Sequence, residues 1–122
     1  MKKKKNNNIL IVDDEENIRL LYKEELEDEG YNVTVAANPS EAVEKMKESY
    51  PDLISLDVKM PGKDGIEFLR ELKEKDPNIP VIICTAYSGY KQDFRAWASD
   101  AYIVKSADLN EFKSTIKKIL GR

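Results

Sequence analysis

The sequence contains no histidine. That excludes Ser-His-Asp and Cys-His catalysis, histidine-ligated metals and carriage of a phosphohistidine by this chain. It has a single cysteine, Cys84, so neither an intramolecular disulfide nor a cysteine-rich zinc site can form. No apolar run approaches the ~18 residues of a membrane span. The start of the chain is Lys and Asn after Met1 and lacks the apolar middle of a secretory signal. A cytoplasmic location without membrane insertion is therefore expected. Chemistry is left to carboxylates, hydroxyls, lysines, arginines and backbone groups. That set suits hard cations such as Mg²⁺ and phosphoryl transfer.

What is present fits one domain: 122 residues, 41% apolar and 35% charged. The net charge of −3 is uneven, because four of the 20 basic residues are Lys2 to Lys5. Beyond them 16 basic side chains face 23 acidic ones, a net −7, which argues against nucleic acid as a direct partner. Residues 1–7 are expected to be a basic, polar, disordered leader, and residues 8–122 the folded domain.

Short apolar runs alternate with longer amphipathic ones. Ile9-Leu10-Ile11-Val12, Leu53-Ile54-Ser55-Leu56, Val81-Ile82-Ile83-Cys84 and Ala101-Tyr102-Ile103-Val104 are apolar on both faces, as central parallel strands require. Cys84 reads as a buried core residue. Asn32-Val33-Thr34-Val35 alternates, which suits an edge strand. Helical spacing joins Ile18, Leu21, Tyr22 and Leu26, with Gly30 as the stop. Asn38-Pro39-Ser40-Glu41 has the pattern of a capping box ahead of Ala42, Val43 and Met46. Asp64-Gly65-Ile66-Glu67 and Asp108-Leu109-Asn110-Glu111 repeat it before further apolar stripes. A shorter helix is predicted around Asp93 to Ala98. The chain thus reads βαβαβαβαβα, a parallel sheet with five helices, the fourth short.

In such sheets ligands bind beyond the carboxyl ends of the strands, where strand order reverses. The first strand ends in Asp13-Asp14, the third in Asp57, the fourth in Thr85 and the fifth in Lys105. Taken singly, these residues read as a helix cap, a turn residue, a loop hydroxyl and a surface charge. With strand order 2-1-3-4-5 they converge on one crevice. Three carboxylates and one ammonium sum to −2, which one Mg²⁺ would neutralise. Asp57 could then act as a nucleophile toward phosphorus.

Ile11-Val12-Asp13-Asp14-Glu15, Asp57-Val58-Lys59-Met60-Pro61-Gly62-Lys63-Asp64-Gly65, Thr85-Ala86-Tyr87 and Lys105 together resemble the receiver domain of two-component response regulators, over residues 8–120. The resemblance implies a flavodoxin-like, doubly wound fold. It implies that Asp57 takes a phosphoryl group from a sensor histidine kinase or phosphotransfer protein. It also implies that Asp14, Asp57 and the backbone carbonyl of Lys59 bind Mg²⁺, with Asp13 acting through water. By the same resemblance Lys105 contacts the phosphoryl group, and Thr85 and Tyr102 form a switch pair that reshapes a surface for a downstream protein target. The expectation is a stand-alone phosphoacceptor signalling domain rather than an enzyme. The alternatives are a Mg²⁺-dependent phosphohydrolase and a receiver-like binding module that is never phosphorylated.

Two departures from the family pattern carry expectations of their own. Ser106 stands where the family usually has proline. The Lys105–Ser106 bond is expected to be trans, because a non-proline cis bond costs ~3 kcal/mol. The stretch from Thr85 to Lys105 is about two residues shorter than is common in the family, which points to a short fourth helix.

Overall fold

The structure is a computed structural model that describes residues 8–58, 65–86 and 98–121. Five strands form one parallel sheet: β1 (Asn8–Val12), β2 (Asn32–Ala36), β3 (Leu53–Leu56), β4 (Val81–Thr85) and β5 (Ala101–Val104). Their order is β2-β1-β3-β4-β5, the doubly wound arrangement expected. Four helices lie among the described residues: α1 (Glu16–Asp28), α2 (Pro39–Glu48), α3 (Gly65–Lys75) and α4 (Asn110–Leu120). The short helix predicted around 93–98 falls outside them except for Ala98, as does the leader 1–7. Among the described residues, no helix is long and apolar enough to cross a membrane.

Alternation along the strands builds two cores, one on each face of the sheet. Leu10, Val12, Ile54, Leu56 and Ile83 face Ala42 of α2 and Ile66, Leu69 and Leu72 of α3. Ile9, Ile11, Ile82, Cys84 and Ile103 face Tyr22 and Leu26 of α1 and Phe112 and Ile116 of α4. The rings of Tyr22 and Phe112 pack 4.8 Å apart. β1 and β3, central in the sheet, are buried almost throughout, whereas β2 lies at an edge and is wetter.

The helix starts and stops show which local signals act. Asn38 Oδ1 accepts from the Glu41 N–H at 2.8 Å, and Glu41 Oε1 accepts from the Ala37 N–H at 2.6 Å. The box therefore closes on the residue before the cap, and such a cap is worth about 1 kcal/mol. Gly30 has φ 99°, a left-handed turn that ends α1 at little steric cost. The cap of α4 falls one residue later than predicted, at Leu109, which makes no side-chain cap bond. Asp108 Oδ1 instead accepts from the Asn110 N–H at 2.9 Å, a turn two residues long. Among the described residues there is no cis peptide bond, so Lys105–Ser106 is trans as expected.

Two helix faces are narrower than their spacing suggests. In α1 the inward row is Ile18, Tyr22 and Leu26, and Leu21 is 42% exposed. In α2 the row is Ala42 and Met46, and Val43 is 40% exposed. Both rows step by four, so a residue one place away points about 100° off the stripe.

Candidate functional site

The backbone ladder continues one residue past three of the strands and so fixes the side chains at the rim. The Asp13 N–H donates to the Ala36 carbonyl at 3.1 Å, the Asp57 N–H to the Val12 carbonyl at 3.0 Å, and the Lys105 N–H to the Thr85 carbonyl at 2.7 Å. Asp13, Asp57 and Thr85 are buried polar residues, 3%, 5% and 0% exposed, joined by Ser55 within β3 in a mainly apolar interior. Asp14 is exposed. Carboxylate oxygens of Asp13, Asp14 and Asp57 nevertheless lie within 4.8 Å of one another.

Lys105 closes this group from β5. Its Nζ lies 2.8 Å from Asp13, 3.1 Å from Asp57 and 3.2 Å from Glu15, so three acceptors meet the three N–H donors of an ammonium. The Glu15 N–H donates to Asp13 Oδ1 at 2.9 Å. Arg19, on α1, donates from Nη1 to the Asp13 carbonyl at 2.8 Å and pins the backbone of the same residue.

Burial pushes the Asp13 carboxyl above its ordinary value, against the opposing pull of Lys105 and the Glu15 N–H. For Lys105 burial works against the charge, but the bond to Asp13 and the charges of Asp13 and Asp57 outweigh it and raise the ammonium pKa. Among the described residues, Asp13, Asp14, Glu15 and Asp57 set four carboxylates against the Lys105 ammonium and the Arg19 guanidinium, a formal −2 when all are ionised. Beneath it, burial pushes the Cys84 thiol up to about 11, and the Tyr22 hydroxyl lies 3.6 Å from its sulfur. Cys84 is a core residue, as expected.

Two further features shape the crevice. The Thr85 hydroxyl is fully buried and has no hydrogen-bond partner among the described residues, an uncommon state for a buried polar atom. At Gly65 a Cβ would overlap Val58 Cα and come within 2.9 Å of the Asp57 carbonyl. The absence of a side chain there lets the N-terminus of α3 close on the Asp57–Val58 backbone, with the Gly65 N–H donating to the Val58 carbonyl at 3.1 Å.

Known proteins match this chain in sequence and in fold. Residues 9–117 match the family model of the response regulator receiver domain. The chain belongs to that family. Sporulation initiation phosphotransferase F of Bacillus subtilis is 41% identical over 105 residues, covering 84% of this chain and 85% of that protein. The transcriptional regulatory protein ZraR of Escherichia coli is 38% identical over 94 residues, 75% of this chain but 21% of that protein. Among solved structures, the response regulator TrrA of Thermotoga maritima in complex with Mg²⁺-BeF superposes with a TM-score of 0.89 at 45% identity, covering 93% of this chain and 98% of that one. TrrA in a complex with the histidine kinase ThkA gives 0.87 at 46% identity with the same coverage.

This receiver domain brings Asp13, Asp14, Asp57 and Lys105 together as expected, with Thr85 at the end of the neighbouring strand. Tyr102 is half-buried against the core on the α2/α3 side. It pairs with Ile83 while Thr85 pairs with Val104, so the two candidate switch residues share a sheet face on adjacent strands, offset by two residues. Lys59 lies outside the described residues. Glu15 and Arg19 were not anticipated as parts of the site. Glu15 continues an acidic run, Asp13 to Glu16, and that run was the available signal. Arg19 sits six residues after Asp13 and left no comparable trace.

Proposed function

We propose that this receiver domain accepts a phosphoryl group on Asp57 from a phosphohistidine of a sensor kinase or phosphotransfer protein. The observation that carries this reading is the placement of Asp57, with its carboxylate among those of Asp13 and Asp14 and 3.1 Å from the Lys105 ammonium. In the transfer an Asp57 carboxylate oxygen bonds to phosphorus as the P–N bond breaks, and the electron pair stays on the donor's imidazole. This chain has no histidine, so the phosphohistidine is supplied in trans.

The donor set is all oxygen and over-charged, which fits Mg²⁺. Asp13, Asp14, Asp57 and the backbone carbonyl of Lys59 would hold it. When bound, the ion neutralises and orients the phosphoryl oxygens. Lys105 supplies a further positive charge 3.1 Å from Asp57 and holds that carboxylate in place. The Thr85 hydroxyl, with no partner among the described residues, turns toward the arriving charge and donates to it. Movement of Thr85 frees space on the face it shares with Tyr102. Inward movement of that ring alters the β4–β5 surface offered to a downstream protein. Two relatives support the reading in kind: one is named a phosphotransferase, and the other, TrrA, was solved both with Mg²⁺-BeF and with a histidine kinase.

The test is incubation with a phosphodonor and Mg²⁺, followed by peptide mapping. Acid-labile phosphate is expected on the peptide carrying Asp57 in the native protein and is expected to be lost in Asp57→Asn. Equal labelling of the Asp57→Asn protein would overturn the assignment.

A further inference from the structure

We infer that Glu15 is a positioning residue for Lys105, the carboxylate that retains the ammonium when a divalent cation takes Asp13. The inference rests on the metal reading given above and deepens it.

Lys105 Nζ has three carboxylate partners, and they are not equivalent. Asp13 and Asp57 belong to the group whose oxygens converge within 4.8 Å, whereas Glu15 stands outside it. Asp13 and Asp57 are buried and Glu15 is 62% exposed at its side chain. A dication on the Asp13–Asp14–Asp57 oxygens competes with the ammonium for the same lone pairs and repels it at contact range. Lys105 must then give up its shortest contact, the 2.8 Å bond to Asp13. Without another acceptor it would swing to solvent and lose its aim at Asp57. Glu15 supplies that acceptor at 3.2 Å and is not among the carboxylates that converge within 4.8 Å.

Among the described residues, Lys105 is the partner that accounts for where the Glu15 side chain points. It occupies the N-cap position of α1 yet makes no side-chain cap bond. Its backbone N–H already holds Asp13, and that bond survives any change of side chain. Glu15 thus contributes more in the cation-loaded site, where it is one of two carboxylates left to Lys105, than in the cation-free site, where it is one of three.

The experiment is calorimetric titration with Mg²⁺ alone of four full-length proteins: the native chain, Glu15→Gln, Lys105→Met and the double variant. Gln preserves shape and removes the charge. In the native background Glu15→Gln is expected to weaken Mg²⁺ binding roughly fivefold, the upper end of what a part-exposed ion pair supplies. In the Lys105→Met background the same change is expected to shift affinity by less than about twofold, because the residue through which Glu15 acts is gone. A direct attraction between Glu15 and the cation would give the opposite pattern, since removing Lys105 unmasks that charge. An equal or larger shift in the Lys105→Met background, or no shift in the native one, would overturn the inference while leaving the metal site intact. Absence of Mg²⁺ uptake by the native chain would overturn both the metal reading and the inference. Lys105→Gln serves as the second background if circular dichroism shows that Lys105→Met does not fold.

Discussion

At the amino rim of the sheet Asp52 and Asp100 tie strand starts together, while at the carboxyl rim acidic side chains outnumber the described cations beside them. Asp52 accepts from the Asn8 N–H at 2.9 Å and donates its own N–H to the Asn8 carbonyl at 2.7 Å. Asp100 accepts from the Val81 N–H at 2.8 Å and pairs with Lys73 at 2.9 Å. These carboxylates are half-buried or exposed, and they tie the strand starts together. Across the sheet, Asp13 and Asp57 are buried and, with Glu15, meet Lys105, while Asp14 brings a third aspartate to the cluster. The same residue type is structural at one rim and held in excess at the other. Excess negative charge is unfavourable in a resting protein and is what a divalent-cation site draws on.

The comparison can be broken first at the carboxyl rim. Gly65→Ala forces a Cβ against the Val58 and Asp57 backbone, for which the amino rim offers no counterpart among the described residues. Overpacking against backbone is expected to cost about 1–3 kcal/mol or more, read as a lower urea midpoint. An unchanged midpoint would mean that α3 docks with slack. A smaller loss is expected from Asp100→Ala at the other rim. It strips the Val81 N–H and Lys73 of their acceptor and should lower stability by about 1–2 kcal/mol, with Mg²⁺ affinity unchanged. A loss of Mg²⁺ affinity in that variant would show that the rims are coupled.

Much of this was legible in the sequence, for identifiable reasons. Runs such as Ile9 to Val12 and Val81 to Cys84 are what strands buried on both faces of a parallel sheet require, so a parallel sheet followed from them, while the order 2-1-3-4-5 was supposed and agreed with the receiver resemblance. Asp13, Asp57, Thr85 and Lys105 were legible because each ends such a run. Leu21 and Val43 were misplaced inward, since apolar spacing does not reveal how narrow a buried stripe is. The cap at Asp108 was one residue early because Asp108 bonds two residues ahead instead of three. Glu15 reaches a lysine 90 positions away, and Arg19 bonds a backbone carbonyl. Contacts of that kind depend on how α1 leaves the sheet, which no local pattern encodes.

The excess-charge account is tested most directly by the thermal midpoint of metal-free Asp13→Asn. Asn can still accept from the Glu15 N–H, so the substitution removes mainly the charge. Because burial raises the Asp13 pKa above 3.8, the folded protein favours the neutral group, and the ionised form loses stability as pH rises through that raised value. The account predicts a midpoint roughly 2–5 °C above the native protein at pH 7, the shift that about 1 kcal/mol makes in a domain of this size. The gain should fade once the pH drops below 3.8, where both groups are neutral. A midpoint below the native value at pH 7 would show that the Asp13 carboxylate stabilises the fold, and would contradict the account.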